Sequence, residues 1–129
     1  MDRAREDEIS YKIIGAAIEA HKCLGGPGLY ESIYENCLLH ELQLQGLQVE
    51  TQVPVSVVYK GVSIQKPLYI DLLVEGQIII EVKATELENP LHHTQLLTYL
   101  RLTGKRLGLV INFGQKAVKD GIERIVNGF

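Results

Sequence analysis

The chain has 129 residues, of which 46% are hydrophobic and 22% are charged, and this size suits one compact domain. Its two cysteines, Cys23 and Cys37, are too few for a disulfide framework, a four-thiolate zinc site or an iron–sulfur cluster. No apolar run approaches the ~20 residues of a membrane-spanning helix, and the acidic first residues do not resemble a signal peptide. We therefore expect a single cytoplasmic domain over residues 1–129.

The net charge of -3 is unevenly distributed along the chain. Residues 1–50 contain 4 Lys and Arg against 9 Asp and Glu, whereas residues 101–129 contain 6 against 2. The local net charge therefore changes from -5 to +4, and a basic final third suits contact with phosphates. A solvated face that balances the acidic half explains the same pattern, and charge alone does not separate the two interpretations.

Two helices are predicted in the first third of the chain. Apolar residues recur at helical spacing from about residue 7 to Leu24, where a glycine-rich loop at residues 25–28 ends the pattern. A second helical stripe begins near Tyr30 and ends near Gly46. Its apolar members, which we expect to be buried, are Tyr30, Ile33, Tyr34, Cys37, Leu38 and Leu42.

The period then changes to two residues, which is typical of strands. A first strand is predicted from Leu47 to Val57, with a turn at Lys60-Gly61. Because Pro54 has no N–H to donate, we expect this strand at a sheet edge or at a bulge.

Two more strands, residues 68–74 and 78–84, are predicted to form a hairpin, and a helix over residues 91–103 ends at Gly104. Residues 107–113 alternate as a further strand, and residues 116–129 fit either a helix or an edge strand. The order α-α-β-β-β-α-β predicts an α/β fold with a mixed β-sheet flanked by helices.

Three charged residues interrupt the apolar strands of the hairpin. With the three-residue loop Glu75-Gly76-Gln77, Asp71 faces Glu81, Tyr69 faces Lys83, and the charged residues share one face. Opposed carboxylates repel at ~4.5–5.5 Å between their Cβ atoms. A divalent cation would relieve this repulsion, and magnesium or manganese would leave positions open for phosphate oxygens. A Lys–Glu pair beside a solvated Asp on an exposed face explains the same residues without a function.

Asp71 followed after nine residues by Glu81-Val82-Lys83 resembles the core motif of the PD-(D/E)XK nuclease superfamily, whose fold has a restriction-endonuclease-like core. Gln95 and Tyr99 resemble the QxxxY motif of its RecB and lambda-exonuclease branch. The segment Gly28-Leu29-Tyr30-Glu31-Ser32-Ile33-Tyr34 resembles the GxxExxY signature of a family of small bacterial and archaeal proteins in that superfamily. The resemblance covers about residues 10–126, and Ile70 stands where the superfamily motif has proline.

The resemblance implies a nuclease that hydrolyses phosphodiester bonds with Mg²⁺ or Mn²⁺, with DNA as the expected substrate and RNA as the alternative. Asp71, Glu81 and the carbonyl of Val82 would bind the metal. Glu31 would be a further ligand or would orient a metal-bound water. Lys83 would position the attacking water or stabilise negative charge in the transition state, and Gln95 and Tyr99 would hold Lys83 or a substrate phosphate. A homodimer is expected on the same basis.

Each role has a simpler alternative. Glu31 also fits a first-turn residue that the helix dipole favours, and Gln95 and Tyr99 also fit an ordinary surface pair. The competing functional class is a non-catalytic module that keeps the nuclease fold and binds nucleic acid or a protein.

Other residues that bind metals elsewhere have simpler predicted roles here. The adjacent His92 and His93 point ~100° apart on a helix and make poor joint metal ligands. Cys23 and Cys37 are expected to be small core residues.

Overall fold

The computed structural model describes residues 1–128. Its helices are α1 (Arg3–Cys23), α2 (Glu31–Leu44) and α3 (Pro90–Thr103), with a short 3-10 helix at Val118–Gly121. Its strands are β1 (Val49–Tyr59), β2 (Val62–Val74), β3 (Ile78–Lys83), β4 (Leu107–Asn112) and β5 (Ile122–Val126). The predicted order is confirmed. The segment predicted as helix or edge strand contains the 3-10 helix and then β5, and its last residue, Phe129, lies outside the described residues.

The five strands form one mixed sheet in the order β1-β2-β3-β4-β5. The β3–β4 pair is parallel and the other three pairs are antiparallel. A parallel pair needs a crossover connection, and α3 supplies it. As Pro54 predicts, β1 is an edge strand, and its pairing with β2 is irregular between Val55 and Val58.

The helix ends follow local signals in the sequence. Asp2 caps α1 and Asn89 caps α3, each with a side-chain oxygen that accepts a backbone N–H of the first turn. Pro90 is the first residue of α3, and Gly104 ends the helix with a φ of 70°, a conformation that favours glycine. Within residues 1–128, no helix combines the length and the apolar character that crossing a membrane requires.

The sheet is covered on both faces. On one face α1 and α2 pack against alternate residues of β2, β3 and β4, and Tyr34 of α2 stacks on Phe113 with 4.7 Å between the ring centroids. On the other face, α3 packs through Leu96, Tyr99 and Leu100. These two layers place the N-terminal end of α2 and one face of α3 near the same strand ends.

The predicted buried stripe of α2 is too wide. Tyr34, Leu38 and Leu42 are fully buried, but Tyr30 is 83% exposed and Ile33 is 41% exposed. The buried residues lie four apart, so only one narrow line of the helix meets the core.

The prediction that Cys23 is a core residue is also wrong. The side chain lies on the exposed side of the last turn of α1 and donates a hydrogen bond to Glu19 Oε1 over 3.2 Å. Cys37 is half-buried against the core, as predicted.

Several basic residues of the final third contact the rest of the chain. Arg106 Nη1 lies 3.3 Å from Glu6 Oε1, and Arg124 Nη2 lies 3.4 Å from Asp7 Oδ1. Lys105 donates to a backbone carbonyl of the β2–β3 turn over 2.9 Å. For Arg106 and Arg124, the interpretation in which the basic third balances the acidic first half is the better one.

Candidate active site

The candidate site lies where β2 and β3 separate. Their paired residues run from Val74 and Ile78 to Leu72 and Ile80, in the predicted register, and no pair follows among the described residues. Beyond this point the N–H of Asp71 donates to Glu81 Oε1 over 3.3 Å. Asp71 Oδ2 in turn accepts the N–H of Val82 over 2.9 Å, and the charge of Asp71 raises the pKa of Glu81, so the two carboxyl groups lie close together in the gap between the strands, as the hairpin register predicts.

Tyr69 does not face Lys83, so that part of the predicted register is wrong. Tyr69 pairs with Pro54 of β1 and is 52% exposed. The reason is that the ladder between β2 and β3 ends three residues earlier, at Leu72 and Ile80, and the earlier residues of β2 have paired partners only in β1 among residues 1–128.

Glu81 is the most deeply buried acid of the site, with 2% of its surface exposed. Burial, followed by the negative charge of Asp71, raises the pKa of Glu81 to about 9. The neighbouring Lys83 and the N–H of Asp71 oppose this shift. In the metal-free protein, Glu81 is therefore protonated at neutral pH, and a cation would be needed to hold it in the charged form.

Helix α2 brings two further carboxylates to the site, of which sequence reasoning identified only one. Burial raises the pKa of Glu31. The positive charge of Lys83 lowers this pKa and the negative charge of Asp71 raises it, so Glu31 lies near Lys83 and Asp71. Burial, and then the charge of Asp71 and a hydrogen bond with it, raise the pKa of Glu35 to about 7. Because Glu35 follows Glu31 by four residues, the two share one helix face, and this spacing is the signal that could have identified Glu35.

Gln52 of the edge strand β1 joins these acids. Its Nε2 lies 3.3 Å from Glu35 Oε1 and 3.4 Å from Asp71 Oδ1. Gln52 has a φ of 48°, in the left-handed region that non-glycine residues rarely adopt. Its partner position in β2 is that of Asp71, where the ladder with β1 is interrupted. No motif in the sequence indicates this residue.

Lys83, at the end of β3, provides a positively charged side chain at the site. The side chain is half-buried and forms no ion pair within 4.0 Å with any residue from 1 to 128. Burial, and to a smaller extent the positive charge of Lys83, lower the pKa of His92. For Glu31, burial raises the pKa and the charge of Lys83 partly offsets this increase. The backbone carbonyl of Lys83 accepts the N–H of Phe113 over 2.7 Å, which ties the end of β3 to the residue after β4.

Helix α3 adds the pair that resembles the QxxxY motif. Gln95 Nε2 donates to the hydroxyl of Tyr99 over 3.1 Å. Tyr99 is only 4% exposed, so the interpretation as an ordinary surface pair is wrong for this residue. Burial raises the pKa of Tyr99, the hydrogen bond with Gln95 lowers it, and the charges of Glu81 and Asp71 raise it. The pair therefore lies on the α3 side of the two acids.

The two histidines of α3 lie beside the site, in a cleft of about 790 Å³ between α3 and β5. His93 Nδ1 lies 2.6 Å from Glu123 Oε1, which accounts for one of its ring nitrogens. His92 is half-buried and also lines this cleft. The expectation that they do not act as joint metal ligands stays a prediction.

The donor chemistry of the site fits a hard divalent cation in part. Asp71 and Glu81 offer carboxylate oxygens from adjacent strands, and magnesium and manganese prefer such ligands. Among residues 1–128, however, no group of three or more His, Cys, Asp or Glu side chains is arranged to hold an ion. In this arrangement Asp71 and Glu81 would supply the carboxylate ligands, with water or backbone oxygens at the remaining positions, while Glu31 and Glu35 lie near them without completing a three-ligand group.

The fold is consistent with a nuclease-type core, and comparison with known families agrees. Residues 7–125 match the PD-(D/E)XK nuclease superfamily, and because this match spans nearly the whole chain, the protein belongs to that superfamily. Comparisons with curated proteins and with solved structures return no significant match. Membership indicates a nuclease-type hydrolase with a nucleic-acid substrate; members generally use divalent metals.

Proposed function

We propose that the protein is a Mg²⁺- or Mn²⁺-dependent nuclease that hydrolyses phosphodiester bonds in DNA. The observation that carries this proposal is the contact between Asp71 and Glu81 at the point where β2 and β3 separate. Lys83 lies two residues beyond Glu81, at the end of β3. Bringing two carboxyl groups together in a buried place destabilises the fold. Such an arrangement, with a lysine beside it that forms no ion pair within residues 1–128, is typical of a site for phosphoryl chemistry.

Asp71 and Glu81 would hold the ion, with the carbonyl of Val82 as a backbone ligand. When bound, the ion supplies a water of lowered pKa and neutralises charge on the phosphate. Glu31 would be a further ligand or would orient a water beside the acids. Its proximity to Asp71 and Lys83 supports either role.

Lys83 would position the attacking water or stabilise the negative charge that develops on the phosphorus centre. Its freedom from an ion pair within residues 1–128 supports this role, because its ammonium group is available to a substrate. Gln95 and Tyr99 are bonded to each other, and they would orient Lys83 or a substrate phosphate from the α3 side.

Three finer assignments belong to the same proposal. The segment Gly28 to Tyr34 supports membership of the GxxExxY family. A cytoplasmic location fits a chain with two free cysteines. The homodimer expected from the resemblance stays a prediction, which sedimentation of the purified protein would test.

The test is hydrolysis of labelled single-stranded DNA, duplex DNA and RNA with each metal. We expect cleavage of DNA that a chelator abolishes and that Lys83→Ala reduces by about a hundredfold or more. Lys22→Ala, which changes an exposed lysine of α1, is the matched control and should retain full activity. Absence of cleavage that depends on Lys83, with either metal and all three substrates, would overturn the proposal.

A second candidate function is a non-catalytic module that binds nucleic acid or a protein. The lack of a preformed group of three ligand side chains within residues 1–128 favours it. Calorimetric titration with manganese separates the two. The nuclease should bind the ion and lose binding in Asp71→Ala and Glu81→Ala, whereas a binding module need not bind manganese at all.

A further inference from the structure

The distal halves of β1 and β2 extend beyond the rest of the sheet. β2 pairs with β3 only through residues 72–74, so residues 56–67, here called the arm, have no strand neighbour other than each other. Within the arm only Val57 is half-buried, and every other residue is exposed. The arm is therefore a two-stranded ribbon that contributes little to the core.

The composition of the arm differs from that of the acidic site beside it. Residues 51–70 contain Lys60 and Lys66 and no Asp or Glu. Neither lysine forms an ion pair with any of residues 1–128. Four large apolar side chains of the arm are more than half exposed: Val58 at 55%, Tyr59 at 63%, Val62 at 60% and Ile64 at 56%. Lys60 Nζ lies 5.5 Å from the centroid of the Tyr59 ring. Exposed apolar groups beside lysines without an ion pair suit a partner that is both negatively charged and partly apolar.

The shape of the arm suits a nucleic-acid groove. Lys60 and Gly61 have φ values of 50° and 79°, so they form a tight two-residue turn, and Tyr59 and Val62 pair across it on one face. A two-stranded ribbon fits the major groove of duplex DNA. The strand then leads directly to the site, since Lys66 and Asp71 are five residues apart, or ~17 Å along an extended strand.

We propose that the arm binds duplex DNA beside the bond to be cleaved, with Lys60 and Lys66 on phosphates and Tyr59 and its apolar neighbours against base edges. This rests on the proposed nuclease function. Charge favours DNA over a second copy of the chain, because symmetric pairing of two arms would bring two positively charged, acid-free segments together.

The experiment measures binding of a fluorescent duplex of about 30 base pairs, with a chelator present so that hydrolysis does not interfere. The variant is Lys60→Asn with Lys66→Gln, because asparagine tolerates the positive φ of residue 60 and preserves the turn. We expect about tenfold weaker binding at low salt, and a slope of log K against log salt that is smaller by about two. Tyr59→Ala should weaken binding about fivefold without changing the slope, because it removes an apolar contact with base edges and no charge.

The matched control is Lys22→Gln with Lys119→Gln, which removes the same charge from exposed lysines of α1 and of the 3-10 helix packed against it. This control should weaken binding by less than about threefold. All variants should melt as the wild type does, because the changed side chains are exposed.

Equal weakening by the control, or unchanged binding by the arm variant, would overturn the proposal. An equal loss on a single strand of the same sequence would overturn the assignment to duplex DNA. A dimer that the arm variant dissociates would assign the arm to self-association instead. If duplex binding depends on the arm but no metal supports cleavage, the nuclease proposal fails alone. If Lys83-dependent cleavage is unaffected by the arm variant at limiting substrate, the arm proposal fails alone.

Discussion

The backbone N–H of Val82 donates a hydrogen bond to Asp71 Oδ2 across 2.9 Å, from β3 to β2. The main-chain ladder between these strands has already ended at Leu72 and Ile80, so a side-chain oxygen takes the place of a ladder carbonyl. Asp71 therefore holds the two strands together at the same point at which its negative charge disfavours the charged form of Glu81. Substitutions that keep the hydrogen bond and remove the charge can separate these two effects.

We predict that Asp71→Asn is at least as stable as the wild type without metal, because asparagine keeps an acceptor for Val82 and removes the charge beside Glu81. Asp71→Ala should lose ~1–3 kcal/mol, because the N–H of the fully buried Val82 loses its partner. Both variants should lose manganese binding and cleavage. Urea unfolding in the presence of a chelator measures the difference, and an equal loss of stability in both would contradict the role given to the hydrogen bond.

Neutralising either acid of α2 should stabilise the metal-free protein. Glu31→Gln and Glu35→Gln each remove a carboxylate that Asp71 repels, so the melting temperature without metal should be unchanged or higher in both. The increase in melting temperature on adding manganese should be smaller than in the wild type. Both residues belong to an acidic cluster with Asp71 and Glu81, so the control must lie outside it. Glu41→Gln, on the same helix and outside the cluster, is the matched control and should change neither quantity.

The case of Glu35 shows where sequence reasoning reached its limit. The helices, the hairpin and the edge position of Pro54 could be predicted because they depend on periodicity and on the backbone properties of single residues. Which face of α2 reaches the site depends instead on how α2 packs through Tyr34 and Leu38. That is a long-range relationship, so the spacing from Glu31 could place Glu35 on the same helix face but could not show that this face reaches Asp71.

The predicted start of β2 was too late, whereas β1, β3 and β4 differ from their predicted ranges by one or two residues. β2 begins at Val62, six residues before its predicted start, and its first part pairs only with β1 in the exposed arm. Val62 and Ile64 alternate with Ser63 and Gln65, but this run is short and lies on an exposed ribbon, so it gives only a weak strand signal. Gln52 lies on the polar side of the alternation in β1, and its importance comes instead from a break in the ladder opposite Asp71.

The stability of the metal-free protein should fall as pH rises. Glu81 and Glu35 have pKa values raised to about 9 and about 7 from an ordinary value of 4.5. Between the ordinary and the raised values the folded chain binds more protons than the unfolded chain, so this contribution is complete below about pH 4.5 and is lost as pH rises through about 7 and about 9. Urea unfolding in a chelator between about pH 5.5 and about pH 9 should show the decline, and Glu81→Gln should flatten it. A stability that rises over this range would contradict the buried, protonated state of Glu81.

Gln95 and Tyr99 should act as one unit. Tyr99→Phe removes the acceptor of Gln95 and should cost ~0.5–1.5 kcal/mol of stability. If the pair orients Lys83 or a phosphate, each single variant should reduce kcat about tenfold, and Gln95→Ala with Tyr99→Phe should be no worse than either alone. Thr98→Ala, an exposed position on the same helix, is the control and should keep full activity. Additive losses in the double variant would show that the two side chains act independently.

The buried side chain of Asn112 holds the loop that follows Lys83. Asn112 is 3% exposed and lies beside Lys83 in the parallel ladder of β3 and β4. Its Oδ1 accepts the N–H groups of Thr85 and Gly114 over 3.0 and 2.9 Å, and its Nδ2 donates to the carbonyl of Thr85 over 3.0 Å. One buried amide thus fixes the chain two residues after Lys83.

Asn112→Ala should therefore cost ~1–3 kcal/mol, because it leaves these backbone groups without partners, and it should lower kcat by letting the end of β3 shift. Gly114→Ala should act in the same direction, since a Cβ at that position would overlap the backbone of Thr85. Gln115→Ala removes an exposed hydrogen bond to the same loop, at the carbonyl of Glu86, and should change stability by less than ~0.5 kcal/mol. Unfolding free energies and kcat measured together decide the matter. A kcat that stays at the wild-type value in folded Asn112→Ala would remove Asn112 from the support of Lys83 and leave it a purely structural residue.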